Sequence, residues 1–133
     1  MTRVLILEPC PRTCRSIARV LTDSGMECVI VLTSGDALER LARGEADLLI
    51  MDVDLFRTET NLCLEELRQR GLEIPVLLLS GGHPRDSERD ACAMACRWAD
   101  ALLIKPFESD DLLSTVRSIL STAPGSAHLQ VTA

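Results

Sequence analysis

The chain has 133 residues, 47% of them hydrophobic, which suits one domain with a sizeable core. Its net charge is −6, which argues against a nucleic-acid partner, because phosphate neutralisation needs a basic stripe and none is visible. No apolar stretch is long enough to cross a bilayer, and Met1-Thr2-Arg3 leads straight into a short apolar run rather than a signal or transit peptide; the expectation is a cytoplasmic protein without a membrane partner.

Read in chain order, short apolar runs alternate with helical patterns. A strand near residues 3 to 7 precedes a helix from about Pro11 to Ser24. Pro11 suits a first helical turn. Cys14, Ile17, Ala18 and Leu21 fall on one helical face, and Gly25 ends it. A second strand, Cys28 to Leu32, leads to a helix from Ser34 to Arg43, with Ser34 as its cap and Gly44 as its stop. Asp47 to Met51 is the third strand, followed after a loop by a helix from about Glu59 to Arg70 that Gly71 closes. The fourth strand is Pro75 to Leu79, with a helix from about Arg85 to Arg97. The fifth strand is Ala101 to Ile104, and a last helix runs from Pro106-Phe107 to about Ser121. Ala123-Pro124-Gly125-Ser126 breaks that helix. Residues 122–133 read as a flexible C-terminal tail behind a single domain over 1–121. Five βα units with short connections predict a doubly wound parallel sheet.

Several of these strands run into polar residues. Val4-Leu5-Ile6-Leu7 meets Glu8, Leu48-Leu49-Ile50-Met51 meets Asp52, and Val76-Leu77-Leu78-Leu79 meets Ser80. Ala101-Leu102-Leu103-Ile104 meets Lys105-Pro106. In an open α/β sheet, ligands sit outside the carboxyl ends of the strands. Taken singly, Asp52 could be a cap, Ser80 a turn former and Lys105 a solvated surface residue. Together they are more specific. A carboxylate can attack phosphorus to give an acyl phosphate. The transfer gathers negative charge, which a cation, a hydroxyl donor and a divalent metal can offset. Lys105 and Ser80 supply two of these. Glu8, Asp52 and Asp54 are the candidate Mg²⁺ ligands, and Asp54 is equally readable as a solvated loop residue.

Six cysteines are many for this length. Cys10/Cys14 and Cys92/Cys96 are spaced four apart, without a Cys-x-x-Cys pair. They read first as small apolar helix residues with free thiols, and second as a thiol switch or metal site.

The order and spacing of Arg3 to Glu8, Gly35-Asp36-Ala37-Leu38, Ala46 to Asp52, Ile74 to Ser80 and Ile104-Lys105-Pro106-Phe107 resemble the receiver domain of two-component response regulators over residues 3 to 121. That resemblance implies a flavodoxin-like (CheY-like) α/β fold with strand order 2-1-3-4-5. It implies a phosphoacceptor at Asp52, a switch hydroxyl at Ser80 and a phosphate-pairing lysine at Lys105, joined to Pro106 by a peptide bond that is commonly cis. Glu8 resembles the first member of an acidic pair that binds Mg²⁺. The expected partners are a sensor histidine kinase or phosphotransfer protein and an unknown downstream protein, with a homodimer left open. The chain then acts as a stand-alone signalling module, not an enzyme. The alternative is a pseudo-receiver that works by protein contact without phosphorylation.

Departures from the family pattern favour that alternative. Pro9 stands where the second acid is usual, so Mg²⁺ binding is expected to be weak. Leu55-Phe56 and Glu59-Thr60 replace the usual loop residues. Leu102 replaces the switch aromatic, and Trp98 replaces the glycine that usually ends the fourth helix.

Overall fold

The computed structural model describes residues 1–53, 57–81, 97–122 and 130–132. Its elements in chain order are β1 (Arg3–Leu7), α1 (Pro11–Asp23), β2 (Glu27–Ile30), α2 (Ser34–Ala42), β3 (Leu48–Asp52), α3 (Arg57–Gln69), β4 (Val76–Ser80), β5 (Ala101–Ile104), α4 (Ser109–Leu120) and β6 (Gln130–Thr132). All strand pairs are parallel, in the order β2-β1-β3-β4-β5-β6. The first five strands therefore take the expected flavodoxin-like order. The helix expected over residues 85–97 lies outside the described residues except for its last position; Arg97 and Trp98 are helical.

The apolar runs carry no in-out alternation because both faces of the sheet are covered. Successive side chains of a strand point to opposite faces. Leu49 and Met51 join Leu5, Leu64, Leu67 and Leu78 in a core beneath α2 and α3. Leu48 and Ile50 join Ile6, Ile17, Leu21 and Val116 in a second core beneath α1 and α4. With so few aromatics, aliphatic interdigitation does nearly all the filling.

Local details correct parts of the sequence reading. Thr33, not Ser34, caps α2; its hydroxyl accepts the Asp36 N–H at 3.1 Å. Thr33 has extended backbone, as a capping residue must, whereas Ser34 is already helical. β2 runs from Glu27 to Ile30, ending before Leu32, which is exposed. α3 begins at Arg57, two residues earlier than expected. Pro11 opens α1 as predicted. Trp98 does not take the place of a left-handed glycine cap but remains in the last helical turn. Its indole N–H donates to Asn61 Oδ1 at 2.6 Å, which ties that turn to α3. Arg68 completes the tie by donating to the carbonyls of Leu72, Ile74 and Trp98.

The largest departure is at the C-terminus. The sequence reading leaves residues 122–133 as a loose tail, yet residues 130–132 form a sixth strand beside β5. A parallel neighbour needs a long crossover, and α4 provides it. Among the described residues, no helix is long and apolar enough to cross a membrane.

Candidate functional site

Strand register brings the polar strand ends together. Leu7 lies opposite Met51, Asp52 opposite Leu79, and Ser80 opposite Ile104. Glu8, Asp52, Ser80 and Lys105 therefore meet at one edge of the sheet, as expected. Face alternation separates them further. Asp52 continues the face of Leu48 and Ile50, Glu8 that of Val4 and Ile6, and Lys105 that of Ala101 and Leu103. These three share the side covered by α1 and α4. Ser80 continues the face of Val76 and Leu78, which also carries Leu102.

The three charged side chains form one ion cluster. Lys105 Nζ donates to Asp52 Oδ2 at 2.5 Å and to both Glu8 oxygens at 3.1 and 3.2 Å. The carboxylates are almost completely buried, with side-chain exposures of 1% for Glu8 and 3% for Asp52, against 22% for Lys105. One ammonium thus faces two acids in a poorly solvated pocket. Burial, then the neighbouring Asp52, pushes the Glu8 carboxyl up to about 8, with Lys105 opposing the rise. Burial works against the Lys105 ammonium, but hydrogen bonds and charge from Asp52 and Glu8 outweigh it and raise its pKa. At neutral pH Glu8 therefore holds its proton beside a charged Lys105.

Local structure holds each member. The Cys10 N–H donates to Glu8 Oε1 at 3.4 Å, and the Cys14 thiol donates to the Glu8 carbonyl at 3.0 Å, so the start of α1 grips the end of β1. Lys105 N–H donates to the Ser80 carbonyl at 2.7 Å, and the Lys105–Pro106 bond is cis. Gly81 is a site residue that the sequence analysis did not single out. Its φ is +114°, and a Cβ there would sit 3.1 Å from the Lys105 carbonyl oxygen and 3.2 Å from its nitrogen. A bare glycine lets β4 pass close enough to fix the Lys105 backbone. No local pattern could have revealed this, since the approach is between segments 24 residues apart in sequence.

The remaining candidates divide clearly. Pro9 contributes no carboxylate, and Asp54 lies outside the described residues. Among the described residues no group of three or more potential metal ligands forms. Glu8 and Asp52 do converge on one point, and Mg²⁺ needs only one or two protein carboxylates, so the pair is chemically compatible with that ion. Leu102 is fully buried in the core beside β4. Cys10 is exposed, Cys28 half-buried, and Cys14 and Cys63 buried; Cys92 and Cys96 lie outside the described residues. Beside Lys105, a groove of about 310 Å³ opens between α1 and α4, lined by Arg12, Ile17, Pro106, Phe107 and Leu112 among others.

Residues 4–117 match the family model of the response regulator receiver domain. The chain belongs to the receiver domain family of response regulators. It is 33% identical to the transcriptional regulatory protein PcoR of Escherichia coli over 127 residues, covering 96% of this chain and 55% of that protein. It is 39% identical to the response regulator protein PmrA of Pseudomonas aeruginosa over 101 residues, covering 75% of this chain and 44% of that one. Among solved structures, a response regulator from Chloroflexus aurantiacus superposes with a TM-score of 0.80 at 25% identity, covering 91% of this chain and 98% of the other. The chain spans about half the length of the curated relatives it matches. As a receiver domain it is a signalling module of two-component systems, and its strand order is that of the family.

Proposed function

We propose that this receiver accepts a phosphoryl group on Asp52 from a sensor histidine kinase or phosphotransfer protein in the cytoplasm, and signals by protein contact. The observation that carries the reading is the buried Asp52 carboxylate held 2.5 Å from the Lys105 ammonium at the mouth of the sheet. An Asp52 oxygen attacks phosphorus, the phosphorus–nitrogen bond to the donor imidazole breaks, and the electron pair leaves with that imidazole, forming an acyl phosphate. Lys105 stays beside the new dianion and pairs with its oxygens. Glu8 and Asp52 would hold a Mg²⁺ ion, which when bound offsets charge on the transferring group. Loss of the Glu8 proton must accompany such binding, because a metal ligates the carboxylate. The groove beside Lys105 is a concave surface that could receive the donor protein. Ser80 serves as the hydroxyl that closes on the phosphoryl group, and Leu102, on the same face, is packed in the core.

The test is phosphate uptake from a small phosphodonor with Mg²⁺, followed by intact mass and by hydroxylamine lability of the adduct. Wild type takes up one labile phosphoryl group and Asp52→Asn none. A second reading, a receiver that acts without phosphorylation, is favoured by Pro9 and by the fully buried Leu102. It becomes the better account if wild type and Asp52→Asn both stay unmodified.

A further inference from the structure

Folding lines up three arginines that stand apart in the sequence. Arg12, Arg15 and Arg19 lie three and four residues apart on α1, so they share one face over about 10 Å of helix. All three are exposed. Among the described residues none of them is in an ion pair, whereas Arg3, Arg40, Arg43 and Arg70 each pair with an acid. α1 has no acid in its first turn to balance Arg12. A cation there opposes the positive end of the helix dipole, so Arg12 weakens α1 rather than stabilising it. Within the described structure the fold makes no use of this charge, in a chain whose net charge is −6.

The row borders the groove of about 310 Å³ between α1 and α4. Arg12 lines the groove itself, and Ile17, Val20, Phe107 and Leu112 give it apolar walls. Val20 and Phe107 are only half-buried, so each keeps apolar surface open to a partner. The α4 bank differs in charge. Glu108 and Asp111 are engaged in the capping box of their own helix, and Asp110 is exposed. The groove thus has a basic bank on α1 and an acidic one at the start of α4, which distinguishes the two flanks of anything seated between them.

We propose that α1 and this groove form a docking seat for an amphipathic helix of a partner protein, whose apolar ridge enters the groove and whose acidic flank lies along Arg12, Arg15 and Arg19. This is helix-in-groove recognition, with charge choosing the partner and its orientation. Arginine suits the task because its planar fork takes a carboxylate through two parallel hydrogen bonds. A nucleic acid is a poorer match, since a row of three charges releases few counterions and the rest of an acidic chain repels phosphates. Apolar walls also offer nothing to a phosphate backbone. The proposal rests on the reading of this groove as the donor protein's seat for the partner's identity, and adds the surface chemistry by which that donor is recognised.

The test uses the full chain and two synthetic helical peptides with the same leucine ridge, one flanked by glutamates and the other by lysines. Binding is followed by amide shifts in NMR titrations. The glutamate peptide should bind saturably, with shifts confined to α1 and to residues 107–112, and about tenfold more tightly than the lysine peptide at low salt. Arg12→Glu/Arg15→Glu/Arg19→Glu should reverse that preference. Its amides in β1 and β3 report an intact fold; if they move, Arg12→Gln/Arg15→Gln/Arg19→Gln takes its place and must abolish the preference. No binding of the glutamate peptide, equal binding of the two peptides, or shifts elsewhere on the molecule overturns the seat. An unchanged preference in the variant overturns the role of the arginines. Tighter binding to duplex DNA or to a phosphatidylglycerol vesicle than to the glutamate peptide overturns the assignment to a protein helix. Phosphate uptake by wild type from a small phosphodonor is measured in parallel. Uptake without peptide binding ends this proposal and leaves Asp52 as the acceptor, whereas binding without uptake supports the seat and removes the phosphoacceptor reading.

Discussion

Glu8 makes folding stability depend on pH in a direction opposite to that of an ordinary salt-bridged acid. Its carboxyl rises from 4.5 to about 8 on folding, first through burial and then through Asp52. A raised folded pKa means the native state holds a proton that the unfolded state releases. The stability linked to that proton is full below pH 4.5 and is lost as pH climbs through about 8. Between those limits the slope approaches one proton, or about 1.4 kcal/mol per pH unit. From pH 5.5 to 7.5 the loss therefore has a ceiling of roughly 3 kcal/mol. Lys105 adds nothing to this slope, because its raised pKa keeps it charged in both states until the pH passes its ordinary 10.5. The perturbation is Glu8→Gln, which cannot titrate. Urea unfolding of wild type and variant is followed from pH 5 to 9 in buffer containing a chelator. Wild type should lose stability with rising pH, and the variant should show a flatter profile whatever its absolute stability. Parallel profiles for the two proteins would falsify the account of the buried cluster.

Three further outcomes follow from the same geometry. Pro9→Asp should tighten Mg²⁺, read by titration calorimetry, by supplying a carboxylate beside Glu8; in wild type the affinity should rise with pH up to about 8 as the Glu8 proton becomes easier to displace, and a pH-independent affinity would count against this. Gly81→Ala should cost about 1–3 kcal/mol in denaturant unfolding, because alanine must adopt φ +114° and its Cβ meets the Lys105 backbone at 3.1 Å; phosphate uptake should fall with it, and an unchanged midpoint would remove Gly81 from the site. Cys10 should alkylate fastest among Cys10, Cys14, Cys28 and Cys63, because it is exposed and hydrogen bonds from Thr13 lower its pKa, whereas burial raises those of Cys14 and Cys28; peptide mapping that found Cys14 labelled first would refute this.

Much of the architecture was legible in the residues alone. Apolar runs such as Leu48 to Met51 have no in-out alternation, so they announce strands buried on both faces, and the helical patterns between them force parallel crossovers. Polar residues placed just after such runs must collect at one sheet edge, which is why Glu8, Asp52, Ser80 and Lys105 could be grouped without coordinates. Cap positions were less legible: Thr33 and Ser34 are both acceptable cap residues, and only backbone angles choose between them. The rest depended on contacts between distant segments. Local pattern carries no information about how close β4 passes to Lys105, so Gly81 looked like any turn glycine. Glu8's raised pKa needed the packing that excludes water and sets two acids against one ammonium. Gln130 to Thr132 has too short a pattern to announce a strand. Its pairing partner, β5, lies some 30 residues earlier and is brought beside it by the α4 crossover. Residue order was enough for the sheet and its polar edge, while the charge state of that edge and the closure of β5 were decided by tertiary structure, because both arise from groups that meet only after folding.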